Sequence, residues 1–268
     1  MKQLSIVSVA AVLLACSLGS CGKPEGGDDA SKPFVVGMEM AYPPFEMRGP
    51  DNRPDGISVR MAEDLAAFLG RPLEVRDVEW DGIIPALQTG KIDAIISSMT
   101  RTPEREQAIA FSDGYVTNGL CLLVAKDSPI QSAADLKPGV HKVVVKLATT
   151  GHQWMRAEMP EMQLIVLNDS ASCALEVVQG KADAFVYDQI SIYRHWKRNE
   201  DKTRPILNPI REETWAIGLR QGEPELKEQI NAFLADYRAK GKFDELAERY
   251  MAEEKAAFEA MGVPFIFH

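Results

Sequence analysis

Along this chain, short apolar runs alternate with stretches whose apolar residues recur every three or four positions, the signature of strands interleaved with amphipathic helices. Pro33 to Met40 reads as a strand, and Ala41 to Glu46 as a loop stiffened by Pro43 and Pro44. Gly56 to Leu69 reads as a helix with Ile57, Met61, Leu65 and Phe68 on its buried face, ended by Gly70. Leu73 to Val78 is a second strand, Trp80 to Gln88 a turn into a helix that stops at Gly90, and Ile92 to Ile96 a strand apolar on both faces. Thr102 and Pro103 then open a helix as N-cap and first helical residue, predicted to run through Arg105 towards Phe111.

The alternation continues. Leu120 to Lys126, His141 to Leu147, Leu164 to Leu167, Ala182 to Tyr187 and Trp215 to Leu219 read as strands. Helices are expected after Gly151, over Ser172 to Gln179, from Glu225 to Ala239 and from Phe243 to Tyr250, and the apolar tail to His268 is expected to pack on the body. Alternating strands and helices predict an α/β fold with a doubly wound parallel sheet. The second half also echoes the first: Gly90-Lys91-Ile92-Asp93-Ala94 and Gly180-Lys181-Ala182-Asp183-Ala184 share a GKxDA pattern, each leading into a strand. Ser98 and Asp188 thereby occupy equivalent strand ends. Open α/β sheets bind ligands beyond the carboxyl ends of their strands, so two such units facing each other would form a clamp.

The N-terminus changes the picture of where the protein works. Met1 to Ser20 carries one cation, Lys2, and an apolar run from Leu4 to Ala15 that is too short to span a bilayer and suits a secretory signal. Leu18-Gly19-Ser20-Cys21 resembles the lipobox of bacterial lipoproteins, which implies cleavage before Cys21 and its lipidation. Gly22 to Lys32 then reads as a polar tether. Residues 1–20 are thus a lipoprotein signal peptide and 21–32 an anchored tether. The formal charge is −9, and loss of Lys2 with the signal makes the remainder more acidic still, which argues against nucleic acid as a partner. Of the four cysteines, Cys121 and Cys173 remain, and either a disulfide or two buried thiols fits an exported chain.

The chemistry concentrates at a few positions. Arg105, in the first turn of its helix beside Ser98 and Thr100, stands at the positive end of the helix dipole, where an anion would be welcome. Pairing with Glu104, Glu106 or Asp93 at the surface is the plainer reading. Asp188 suits a cation, although it could equally cap a helix starting at Gln189. An arginine and an aspartate at facing strand ends together fit a zwitterion. There is no GxSxG elbow, HExxH pair or CxxC couple. His141, His152, His195 and His268 lack metal-like spacing and are expected to be solvated or hydrogen-bonded, so no cofactor or metal is implied.

From Phe34 to Met251 the segments MAYPPFE, DGIIPALQTGKIDAIISSMTRTPER, FSDGY, KLATTG, GKADAFVYD and GKFDELAERY, in that order, resemble the periplasmic amino-acid-binding proteins of ABC importers, the glutamine-, histidine- and lysine/arginine/ornithine-binding group. The resemblance implies a type II, two-lobed fold, with two open α/β sheets joined by crossing strands near Val116 to Gly119 and Glu212 to Trp215. Lobe 1 would be 33–117 plus 213–268, and lobe 2 would be 118–212. It further implies that Arg105 takes a ligand α-carboxylate with Ser98, Thr100 and Thr150, and that Asp188 takes the α-ammonium. Tyr42 and Trp80 would wall the ligand. Glu39 stands where the family often has aspartate, and Lys146 where glutamine-binding members have a lysine. The family's usual Ser/Gly-Gly-Thr before the second-lobe helix is replaced by Leu147-Ala148.

The expected function is that of an extracytoplasmic, lipid-anchored, monomeric binding protein, not an enzyme, delivering a free amino acid to an ABC permease. Glu39 with Lys146 offers one acceptor and one donor, which suits a carboxamide, so glutamine is expected first and lysine or arginine second. Two alternatives share the scaffold: an arogenate or prephenate dehydratase, and a protein presenting ligand to a separate receptor.

Overall fold

The computed structural model describes residues 32–267. Its strands and helices follow in the order that the alternation predicts. Strand β1 (Phe34–Met38) leads into a small antiparallel sheet of β2 (Ala41–Tyr42), β3 (Glu46–Arg48) and β4 (Pro54–Asp55), and then α1 (Ile57–Phe68). Strand β5 (Leu73–Asp77), α2 (Ile83–Gln88), β6 (Ala94–Ile95) and α3 (Pro103–Glu106) complete the first unit. Strand β7 (Ala110–Ala125) carries the chain into β8 (Lys142–Lys146), α4 (Thr150–Glu158), β9 (Gln163–Leu167), α5 (Ser170–Val178), β10 (Ala184–Asp188) and α6 (Gln189–Lys197). The return runs through β11 (Thr203–Leu219) to α7 (Pro224–Ala239) and α8 (Lys242–Met261).

Two lobes share the long antiparallel pair β7 and β11. The sheet order is β5-β1-β6-β11-β7-β10-β8-β9, so each lobe adds its own parallel strands to one flank of that pair. The β7–β11 register shifts between Ile206 and Arg211 and again near Trp215, which marks the passage from one lobe to the other. Separate apolar clusters back the sheet in each lobe: Ile83, Leu87, Ile95 and Phe111 in the first, and Leu122, Val143, Met155 and Val186 in the second.

The GKxDA echo has a structural cause. Gly90 and Gly180 each hold a left-handed φ, +71° and +68°, just past α2 and α5, where glycine ends a helix without steric cost. Asp93 then exchanges bonds with the neighbouring strand: its carboxylate accepts from Val35 N–H at 3.0 Å and its own N–H donates to Val35 C=O at 2.7 Å. Asp183 repeats the pattern on Lys142, at 2.7 Å and 2.8 Å. In both lobes this aspartate registers the strand whose far end reaches the cleft.

Three expectations need correction. The helix opened by Thr102 stops at Glu106 instead of running to Phe111, because Ala110 and Phe111 are claimed by β7, paired with Leu219 and Gly218. Phe68 is half exposed and packs edge-on against Phe233, outside the buried stripe of α1. The last helix continues past Tyr250 to Met261 through a kink at Met251. Beyond the kink it meets the second lobe, where Arg194 pairs with Glu254 and Tyr193 packs against Phe258. The tail then returns to the first lobe, with Phe267 against Phe45 and Phe243, and Thr117 N–H donates to Ile266 C=O at 3.0 Å. Cys121 and Cys173 are buried free thiols, and burial pushes both thiol pKa values up.

Candidate functional site

A cleft between the lobes is lined by Glu39, Tyr42, Trp80, Ser98, Thr100, Arg105, Thr150 and Asp188. Lys146 completes the set expected from sequence by pairing with Glu39. Six further residues line the same cleft and were not anticipated: Glu46, Ser97, Thr149, Tyr187, Glu213 and Trp215. Trp215 and Glu213 lie on β11, whose role as a wall depends on the return crossing. Ser97 adjoins Ser98 and was the one most open to sequence reasoning.

Arg105 is 5% exposed. Thr102 caps α3, its hydroxyl accepting from Arg105 N–H at 3.2 Å, and this turn sends the guanidinium inward rather than towards Glu104 or Glu106. Nη1 donates to Thr100 C=O at 2.7 Å and Nη2 to Ala148 C=O at 3.3 Å, while the group lies 5.2 Å from the Trp80 ring centroid. Burial lowers its pKa to about 10, with the charge of Glu213 opposing the shift, so it stays a cation at neutral pH. No carboxylate among the described residues forms an ion pair with it.

Asp188 ends β10 and caps α6, accepting on Oδ1 from Ser191 N–H at 2.9 Å and from Asn118 Nδ2 at 3.4 Å. The helix cap and a place in the cleft, alternatives on sequence, coexist in one residue. Burial raises its pKa, and hydrogen bonding to its charged form works the other way. Tyr42 lies beside it.

The remaining charges are accounted for within the protein. Lys146 from the end of β8 pairs with Glu39 beyond β1. Lys146 Nζ also lies 5.7 Å from the Trp80 ring, so this ring faces two of the protein's own cations. Trp80 Nε1 donates across the cleft to Ala148 C=O at 3.1 Å. Ala148 holds φ +58°, a left-handed conformation usually left to glycine, at the point where Leu147-Ala148 departs from the glycine-containing pattern expected from the resemblance. Gly151 lets α4 sit directly on β10, since a Cβ there would stand 2.6 Å from Val186 O.

The three hydroxyls expected around Arg105 are all turned to acidic side chains of the protein. Ser98 Oγ donates to Glu46 at 3.2 Å, with Ser97 Oγ on the other oxygen at 3.4 Å. Glu46 is 1% exposed, and burial pushes its carboxyl up to about 8, so it is protonated at neutral pH. Thr100 and Thr150 both donate to Oε2 of Glu213, at 3.0 and 2.8 Å. Oε1 of Glu213 accepts from Arg211 at 3.0 Å.

Two lobes hinged on a shared strand pair and closed over a polar cleft define the type II periplasmic-binding-protein fold. Residues 34–253 match the bacterial extracellular solute-binding proteins, family 3, and the chain belongs to that family. It is 28% identical over 223 residues to the L-cystine-binding protein TcyJ of Escherichia coli K12, covering 82% of this chain and 83% of that one. It is 29% identical over 273 residues to the ABC transporter glutamine-binding protein GlnH of Bacillus subtilis, covering 95% and 98%. An ancestral arginine-binding protein bound to glutamine superposes with a TM-score of 0.75 at 30% identity, covering 83% of this chain and 98% of its own. No helix among the described residues is long and apolar enough to cross a membrane.

Proposed function

We propose that this protein captures a free amino acid between its lobes, 33–117 with 213–268 and 118–212, and delivers it to the permease of an ABC importer. One observation carries the reading. Of the cleft's ionised side chains, Glu39 is paired with Lys146 and Glu213 with Arg211, while Arg105 and Asp188 have no ion-pair partner among the described residues. One buried cation and one buried anion left over suit the carboxylate and ammonium of a zwitterion, because unpaired buried charge is costly and a ligand supplying both counter-charges relieves both sites.

The side-chain end is built for a neutral polar group. The Glu39–Lys146 pair presents acceptor and donor together and carries no net charge, and Trp80 already faces two cations, which leaves little for a cationic ligand to gain there. Glutamine is the first choice, with lysine or arginine second, and the relatives named for glutamine and arginine are in keeping with both. The protein acts as a monomeric binding protein rather than an enzyme, outside the cytoplasm, held to the membrane through a lipid on Cys21. Cys21 lies outside the described residues. Mass spectrometry of the membrane fraction should find a diacylglyceryl cysteine at the N-terminus, and a soluble product with another N-terminus would exclude the anchor. Calorimetric titration of glutamine, asparagine, arginine, lysine, glutamate and cystine tests the ligand. A clear preference for arginine or lysine overturns the neutral reading, and no binding of any amino acid overturns the function.

A further inference from the structure

Glu213 stands out among the cleft residues. It lies on the crossing strand β11, 5% exposed, and one of its oxygens collects hydroxyls from opposite lobes, Thr100 from the first and Thr150 from the second. Those are two of the hydroxyls that would otherwise surround an anion at Arg105. A threonine hydroxyl has one proton to donate, so while it is given to Glu213 it is withheld from any ligand oxygen.

We infer that Glu213 is a specificity-determining residue: it seats the protein's own carboxylate on Thr100 and Thr150 beside Arg105, so that a ligand carboxylate is held by the guanidinium alone and against a neighbouring negative charge. The inference rests on the reading of Arg105 as the carboxylate site. Its consequence is a restraint on affinity and a selection against extra negative charge. An amino acid with one carboxylate meets one repulsive neighbour, whereas an acidic amino acid brings a second carboxylate into a cleft that also holds Asp188 and Glu39. Arg211, two residues earlier on β11, pairs with the other oxygen of Glu213 and holds the carboxylate in place. A purely structural role makes the opposite prediction. If Glu213 served mainly to clip the lobes together through its two hydroxyl partners, removing its charge would loosen closure and weaken every ligand.

Calorimetry on the full chain separates the two. Glu213→Gln keeps an acceptor for the hydroxyls and removes the charge; glutamine affinity is expected to rise about tenfold, the equivalent of about 1.4 kcal/mol, and glutamate affinity by more than that. Thr100→Val is expected to cost more glutamine affinity in a Glu213→Ala background, where its hydroxyl is free for the ligand, than in the wild type, where it is engaged, a non-additivity that a double-mutant cycle reads directly. Equal or weaker binding by Glu213→Gln, or an additive Thr100–Glu213 cycle, overturns the inference while leaving the amino-acid reading in place. If neither the wild type nor Glu213→Gln binds any amino acid, both readings fall. Should Glu213→Gln not fold, the Thr100–Glu213 cycle decides alone.

Discussion

Lys146 and Glu39 form an ion pair across the cleft, one from the end of β8 in the second lobe and one just beyond β1 in the first, with side chains only 4% and 11% exposed. Burial raises the Glu39 carboxyl pKa and the Lys146 charge beside it opposes the rise. Because the partners sit on different lobes, opening the cleft returns both to water. The cost of breaking the pair is therefore expected to appear in closure rather than in overall stability. Lys146→Met strands Glu39 in the closed form, and truncating one side of a buried pair costs about 2–5 kcal/mol. Small-angle scattering should show a larger radius of gyration for this variant at a ligand concentration that closes the wild type. Unchanged scattering and affinity would mean that the pair does not hold the lobes.

Arg105→Ala and Asp188→Ala should each nearly abolish ligand binding, since each leaves one pole of the zwitterion facing an uncompensated site. The same range of about 2–5 kcal/mol corresponds to roughly thirty- to several-thousand-fold in affinity. Thermal unfolding distinguishes the two variants. Arg105→Ala should unfold near the wild type, whereas Asp188→Ala also removes the cap of α6 and should lose a further ~1 kcal/mol of stability. A variant that binds within a few-fold of wild type would remove that residue from the site.

Glu46 should impose a pH dependence on folding. Its carboxyl is at about 8 in the folded protein against an ordinary 4.5, so between those values the folded state keeps a proton that the unfolded state has released. The unfolded state binds fewer protons there, so stability falls as pH rises from about 4.5 to about 8, by up to ~1.4 kcal/mol per pH unit from this group, and levels off above. Denaturant titration across that range should show the slope, and Glu46→Gln should flatten it. A Glu46→Gln profile parallel to the wild type would mean that Glu46 is ionised in the fold.

Ala148 offers a local test of backbone strain. At φ +58° an L-residue with a Cβ is held at a cost of about 1–2 kcal/mol, part of which glycine gives back through its greater freedom when unfolded. Ala148→Gly should raise the melting temperature slightly, by no more than ~1 kcal/mol in stability. A clear fall in melting temperature would show that the Ala148 methyl contributes packing that outweighs the strain.

Much of the architecture was legible because it rests on local signals. The glycines closing α2 and α5 and the GKxDA echo delimit strands within a residue or two, and Thr102 and Asp188 cap where such residues are expected. What stayed hidden depends on contacts distant in sequence. Phe111 sits in a pattern that extends a helix until its pairing with Gly218, more than a hundred residues away, makes it a strand residue. Glu213 looks like any glutamate in an Arg-Glu-Glu run, and only the crossing of β11 between the lobes brings it to Thr100 and Thr150. Glu46 reads as a polar residue after two prolines, and its burial beneath Ser97 and Ser98 follows from the fold of the small sheet.

The excursion of α8 and the tail, from the first lobe to Tyr193 and Arg194 on the second and back to Phe45, lies largely beyond the 34–253 span that matches the family. A hinge that opens must pull Phe258 away from Tyr193, at a point that lines no part of the cleft. A contact of this kind, which favours the closed form without touching the ligand, adds to residence time and affinity together. Phe258→Ala should shorten the life of the bound complex in stopped-flow displacement while every group that touches the ligand stays as it was. Such a result would give residues beyond the family-matched span a part in how long the closed form lasts.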